Sequence, residues 1–247
     1  MLESKLFATI KAGQAHRVEG YIYFSVTGVK GGGKTTYTIK VMTQVFMALG
    51  YGEDDAYRMA LKHLLYDKKE VISFLRHHSG HQQAIMTWDD CRVHGSGMSY
   101  ITAPRETQIL SGLFDTARDS VACIMTTAPS SRGLLSFLKN ELGWKGQVVP
   151  LYCRKEWREC RLYSRYELPT GDLKITGNKI SDTFHYRLPD DVYEIIRAKR
   201  SKYKEILLNN IDKMIAKSLD KENKQLQSEL LYLKDSEKEE VDTYDGE

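Results

Sequence analysis

The side chains with the clearest chemical potential in this 247-residue chain stand in one short run: Gly28, Val29, Lys30, Gly31, Gly32, Gly33, Lys34 and Thr35, with Thr36 next. The run satisfies G-x-x-x-x-G-K-[ST] at every fixed position. Glycines let the backbone curl until successive N–H groups point inward and form a nest for an anion. A helix opening directly after the nest adds the positive end of its dipole, so a di- or triphosphate is held electrostatically. Lys34 then carries a mobile ammonium to the β- and γ-phosphates, and Thr35 offers a hydroxyl to Mg²⁺. A glycine-rich turn with an incidental Lys-Thr pair would share the composition but not the setting of strand, loop and helix.

A metal held by Thr35 also needs a carboxylate. Asp89 closes the apolar run at residues 84–88. In an open α/β sheet ligands lie at the carboxyl ends of strands, so Asp89 and the loop should share one edge, with Asp89 reaching Mg²⁺ through water. Asp90 is the candidate to orient or deprotonate an attacking water. The alternative is that both aspartates cap a following helix. Thr126 and Thr127, at the end of another apolar run, are candidates to contact the γ-phosphate or the water, or simply to cap their strand. An arginine acting from a second subunit is expected if the protein works as an oligomer; Arg105, Arg118 and Arg132 are candidates, and the sequence does not choose among them. No Asn-Lys-x-Asp stretch specifies guanine, which points to ATP.

These groups must be positioned by elements that the hydrophobic pattern predicts. Residues 21–26, Tyr-Ile-Tyr-Phe-Ser-Val, read as a buried strand before the loop. Ile39, Met42, Phe46 and Leu49 share one face of a helix over about 35–49, with Gly50 as its stop. Residues 54–78 read as two helices, with a strand at 71–75 as the alternative. Strands follow at 84–88, 121–126 and 148–151, with helices around Leu110 and Leu135 between them. Alternating strands and helices indicate an α/β fold with a mostly parallel sheet sandwiched by helices.

The pattern changes after Tyr152. A β-hairpin is expected over 157–175, turning at Pro169-Thr170-Gly171-Asp172, with Phe184-His185-Tyr186 as one more strand. A long helical pattern runs from Asp190 to about Lys234, with a break near 220–223 as one option. The predicted organisation is an extension at 1–19, a core with its hairpin at 20–188, an amphipathic helical segment at 189–234 and a disordered acidic tail at 235–247.

Arg154, Lys155, Arg158 and Arg161 are interleaved with Trp157 and Tyr163, and Arg197, Lys199, Arg200 and Lys202 cluster early in the helix. Arginine supplies phosphate contacts and aromatic rings stack on exposed bases, so both regions are candidate DNA contacts. The competing readings are packing for the aromatics and a solvated face for the helix. Apolar Leu219, Leu226, Leu230 and Leu233 favour docking or self-association.

Composition sets the frame. Apolar residues make up 41% and charged residues 28%, which supports a sizeable core and excludes a chain disordered throughout. The net charge of +3 means that any nucleic-acid-binding surface is local. Cys91, Cys123, Cys153 and Cys160 are too scattered for a disulfide framework and read as reduced thiols. His77 and His81 could share a helix face, but no third ligand is near in sequence. No apolar stretch approaches the ~20 residues of a membrane span. A cytoplasmic protein is expected, in the host's cytoplasm if a virus or plasmid encodes it.

On residues 28–35, 85–90 and 124–131, Ile-Met-Thr-Thr-Ala-Pro-Ser-Ser, the chain resembles the P-loop ATPases with an additional strand between their two nucleotide motifs. Within that group it looks like the small AAA+-type, replication-initiator-like ATPases of archaeal plasmids and viruses. The resemblance covers about residues 20–150. It implies an ATP- and Mg²⁺-dependent hydrolase associated with DNA and working as a homo-oligomer. Such ATPases usually carry Glu at the position of Asp90. A nucleotide-gated interaction module with little turnover, a partition-type ATPase and a P-loop phosphotransferase are the alternatives. The signature lysine of partition ATPases falls where this chain has Val29.

Overall fold

In the computed structural model, seven strands among the described residues form one sheet. They are β1 (Ile22–Gly28), β2 (Leu64–Leu65), β3 (Met86–Trp88), β4 (Cys123–Ala128), β5 (Trp144–Pro150), β6 (Trp157–Glu167) and β7 (Leu173–His185). The helices are α1 (Lys34–Ala48), α2 (Glu53–Lys62), α3 (Lys68–His77), α4 (Pro104–Asp115) and α5 (Asp190–Asp242). The structure describes residues 21–91, 104–130, 137–138, 143–170 and 173–242. The expected extension at 1–19, Arg132, the helix start at Leu134 and Leu135 and the last residues 243–247 lie outside that set.

The strand order is β2-β3-β4-β1-β5-β6-β7. The first five are parallel neighbours, and β6 and β7 are added antiparallel. The fold is therefore α/β with a mixed, mostly parallel sheet. β4 lies between β1 and β3, so one strand separates the glycine-rich turn from Asp89.

Strand parity sends alternate residues to opposite faces. Tyr23, Met86, Trp88 and Ile124 form one core with Val71 and Leu75 of α3 and Leu110 and Phe114 of α4. On the other face Thr87 Oγ1 reaches Met42 Sδ of α1 at 3.4 Å. Helices thus cover both faces, and burial of these large side chains supplies the main driving force, at ~25 cal/mol per Å² of apolar surface.

The structure decides several local expectations. Residues 71–75 are helical, as the two-helix reading expects, and the strand alternative falls away: the Asp67 carboxylate accepts the Lys69 N–H at 3.2 Å, and the Glu70 carboxylate accepts the Asp67 N–H at 3.3 Å. This reciprocal cap fixes the start of α3 and places Val71 and Leu75 one turn apart, both buried. The two-residue strand β2 was too short to register as a period. It is held by Thr87 N–H on His63 O at 2.9 Å and by Asp89 N–H on Leu65 O at 2.8 Å. The hairpin forms as expected, but Phe184 belongs to β7 rather than to a separate strand. The polar residues 176–178 are absorbed by a register shift opposite Ser164.

The chain divides into two compact units, 1–196 and 197–247. The first seven residues of α5 belong to the first unit, where Val192 and Ile196 are buried. In the second unit α5 continues without a break at 220–223 and reaches Asp242, so residues 235–242 of the expected disordered tail are helical. No glycine or proline occurs between Asp190 and Asp242, and Glu and Lys are good helix formers. Among the described residues no helix is long and apolar enough to cross a membrane.

Candidate functional site

Three backbone features shape the turn after β1. Gly28 ends the strand at φ 151°, Gly31 has φ 72° and Gly33 has φ 92° at the start of α1. A Cβ on Gly28 would stand 2.6 Å from the carbonyl oxygen of Val148 in β5, so only glycine fits that crossing. Gly33 has no side chain with which to cap α1, and the first turn of α1 holds no acidic residue. Its leading N–H groups therefore face the turn without a protein side-chain acceptor at the cap. Val29 and Lys30 are exposed at the tip, Gly32 is buried, and Thr36 is half-buried in the first turn of the helix.

Lys34 folds back over this turn and is buried. Its ammonium donates to Gly28 O at 3.2 Å and Val29 O at 3.0 Å. Thr35 points the other way: its hydroxyl contacts both Asp89 oxygens, at 2.8 and 3.0 Å.

Parity explains why Asp89 is there. Trp88 pairs with Thr126, so Asp89 comes level with Thr127 just beyond the end of β3, on the α1 face. Asp89 is wholly buried, and the Thr127 hydroxyl donates to its Oδ1 at 2.6 Å. The same Thr127 oxygen accepts the Asp90 N–H at 2.9 Å. Thr126, one residue earlier, lies on the opposite face, 2.8 Å from the Tyr23 hydroxyl. The structure thus separates the two threonines: Thr127 joins the carboxylate and Thr126 joins the core.

Asp90 is the one non-glycine residue with positive φ, at 48°, among the described residues. Aspartate tolerates the left-handed region better than most residues, yet such a conformation persists only where its surroundings impose it. Here its N–H is held by Thr127. The helix that Asp89 and Asp90 would cap falls on residues 92–103, outside the described set.

The donor set of Thr35 and Asp89, a hydroxyl beside a buried carboxylate, is all hard oxygen and fits Mg²⁺. Among the described residues no group of three or more His, Cys, Asp or Glu side chains converges on a metal position. An ion between Thr35 and Asp89 would complete its shell with water or phosphate oxygens. His77 ends α3 with its ring 4.9 Å from that of His78. Burial, then the neighbouring His77 and His81, lower the His78 pKa.

The basic residues separate into different environments. β5 continues past the Gly28–Val148 pair, and Arg158 stands opposite Pro150, beyond the end of β1. Arg158 shares parity with Cys160, which packs toward Gly146 on the α1 face, so it lies at the glycine-rich turn. Arg161 has the opposite parity and pairs with Glu159 at 2.9 Å. Arg154 and Lys155 are exposed in the turn between β5 and β6, with the Arg154 guanidinium 5.8 Å from the Trp157 ring centre. In the second unit, Arg197, Arg200 and Lys202 are exposed and Lys199 is half-buried. At about 100° per residue these four spread around α5 rather than along one stripe. Arg105 is exposed on α4, and Arg118 is exposed beside Asp119.

Sequence reasoning missed the proximity of Arg158 and Phe184 to the turn. Parity along β6 was the available signal, but it acts only once the hairpin register is known. Cys91, Cys123 and Cys160 are buried free thiols whose pKa values burial drives upward, and Cys153 is an exposed free thiol.

No protein-family model matches the chain. It is similar to the uncharacterized protein B-251 of Sulfolobus spindle-shape virus 1, with 26% identity over 220 residues, covering 85% of this chain and 84% of that relative.

Proposed function

We propose that the chain is a Mg²⁺-dependent P-loop ATPase that acts in association with DNA, in a replication-initiator or loader role for a mobile element. The observation that carries this reading is the hydrogen-bonded chain Thr35–Asp89–Thr127, which ties the glycine-rich turn to the ends of β3 and β4. A turn that were merely glycine-rich would not need a buried carboxylate two strands away. The insertion of β4 between β1 and β3 supports the same reading, because it is the strand arrangement of the ATPases that the sequence resembles.

In this reading the N–H groups of residues 28–35 cradle the phosphates, and Lys34 exchanges its two carbonyl partners for phosphate oxygens. Thr35 and Asp89 hold Mg²⁺, which neutralises charge developing on the phosphates. Thr127 orients Asp89, and its bond to the Asp90 N–H positions that residue. Asp90 is the group that receives a proton from water. Water attacks the γ-phosphorus, the bond to the β–γ bridging oxygen breaks, and ADP and phosphate leave.

DNA association is supported by the exposed Arg154 and Lys155 beside Trp157. Homo-oligomer formation is supported by Ile211, Ile215, Leu219 and Leu226, exposed at helical spacing on α5. A viral relative is compatible with action in the cytoplasm of an infected host.

The test is phosphate release from ATP, measured with and without single- and double-stranded DNA over a range of salt. Release that needs Mg²⁺ and rises with DNA is expected, with DNA affinity falling steeply as salt increases. ATP binding with negligible release under every condition favours a second reading, a nucleotide-gated interaction module. The short side chain and constrained backbone of Asp90 favour that second reading.

A further inference from the structure

The end of the hairpin abuts the glycine-rich turn. A Cβ on Gly33 would lie 3.6 Å from Arg158 Cγ and 3.7 Å from Phe184 Cε2. Arg158 and Phe184 face each other across β6 and β7, and Tyr186 follows on the same side. The Arg158 guanidinium is fixed in place: Nη1 donates to Lys155 O at 2.7 Å and Trp157 O at 2.9 Å, and the group lies 4.8 Å from the centre of the Tyr186 ring. The neighbouring Arg161 and Arg187 are neutralised by Glu159 and Glu156. Arg158 has no carboxylate partner among the described residues, and its Nε and Nη2 make no hydrogen bond there.

A half-buried cation held at the mouth of an anion nest, with donors to spare, is built to meet an anion. We propose that Arg158, braced on Tyr186, is the chain's own arginine contact to the polyphosphate bound at residues 28–35. This rests on the nucleotide reading above and deepens it. The stem of Arg158 packs against Gly33, so its guanidinium carbon, three bonds farther on, stays within reach of the turn. A DNA backbone would instead call on the exposed Arg154 and Lys155. Arg158 therefore belongs to the nucleotide site and not to the DNA surface that its sequence neighbours suggest. Arginine suits the position because its planar fork can keep two carbonyl bonds on one nitrogen while offering another edge to phosphate.

The experiment compares Arg158→Met, which keeps the stem against Gly33 but removes the charge, with Arg158→Lys, Tyr186→Leu and Lys34→Ala. ATP, ADP and adenosine affinities, phosphate release, DNA affinity and the melting temperature of the nucleotide-free protein are read for each. Arg158→Met should weaken ATP about 10–100-fold, the range of a lost charge-assisted contact, and leave adenosine and DNA affinities unchanged. Arg158→Lys should recover only part of the loss, and Tyr186→Leu, which removes the ring that braces the guanidinium, should weaken ATP less than Arg158→Met does. Should Arg158→Met not fold, Arg158→Gln, which also removes the charge, carries the same comparison. Wild-type ATP affinity and turnover in Arg158→Met would overturn the proposal while leaving the nucleotide reading intact. Loss of DNA affinity with ATP affinity unchanged would also overturn it and return Arg158 to the DNA surface. If the wild type binds no nucleotide and Lys34→Ala changes nothing, the nucleotide reading itself fails.

Discussion

Thr35 and Asp89, 54 positions apart in the chain, meet through a single hydroxyl that contacts both carboxylate oxygens, at 2.8 and 3.0 Å. This contact makes one site of a turn after β1 and the end of β3, with β4 lying between them. The carboxylate is wholly buried, so its partners matter energetically. A buried polar group is costly unless hydrogen bonds replace the lost water.

Thr127 is the second of those partners and also satisfies the Asp90 N–H. Thr127→Val preserves shape but strips one donor from Asp89 and leaves a backbone N–H without its acceptor. Stability should fall by about 1–3 kcal/mol in urea unfolding, and turnover should fall more than ATP affinity. Unchanged stability and turnover would show that this hydroxyl is dispensable.

Asp90 separates backbone from chemistry. At φ 48°, Asp90→Asn should keep the fold, since Asn also enters the left-handed region, yet phosphate release should drop on the order of 100-fold with ATP binding retained. Asp90→Ala should lose the same activity and about 1–2 kcal/mol of stability besides. Equal turnover in all three proteins assigns Asp90 a conformational role only.

Gly28 and Gly31 make a paired comparison. A Cβ at Gly28 would sit 2.6 Å from Val148 O, whereas one at Gly31 meets nothing within 4 Å, leaving only its φ of 72°. Gly28→Ala should destabilise by about 3 kcal/mol because β1 and β5 must part. Gly31→Ala should cost about 1 kcal/mol, the left-handed penalty alone. Thermal melts of the two variants give the order directly.

His63 predicts a pH effect. Burial lowers its pKa below 6.5 despite a 2.7 Å contact between Nδ1 and Ile85 O, and His78 and Lys62 push the same way as burial. The unfolded chain therefore binds the proton more readily than the folded one. The contribution is fully present above about pH 6.5 and is lost as pH falls from there toward the folded-state pKa, with a slope of up to about 1.4 kcal/mol per pH unit. Urea titrations at several pH values should show that slope in the wild type and a smaller one in His63→Gln. Equal slopes would place the effect elsewhere.

Local signals made the glycine-rich turn, the strand before it, the helix after it and the strand ending at Asp89 legible in the sequence. Each depends on residue type and short-range period. Leu64 and Leu65 escape detection because two residues have no period, and periodicity alone leaves 71–75 open to helix or strand, a choice that the Asp67–Glu70 cap settles in the structure. The separation of Thr126 from Thr127, and the arrival of Arg158 at Gly33, depend on register between distant strands. No short-range pattern encodes that. The continuation of α5 to Asp242 was readable in the lack of glycine and proline, but the acidic run suggested disorder instead.

The central claim is that residues 28–35 hold the polyphosphate of ATP. Calorimetric titration of Mg²⁺-ATP into the wild type and Lys34→Ala tests it most directly, with melting temperatures as a check on folding. The ammonium now held by Gly28 O and Val29 O should transfer to phosphate, so the wild type should bind and the variant should lose at least about 100-fold in affinity with its fold intact. Equal heats of binding in the two proteins, or none in the wild type, would contradict the account.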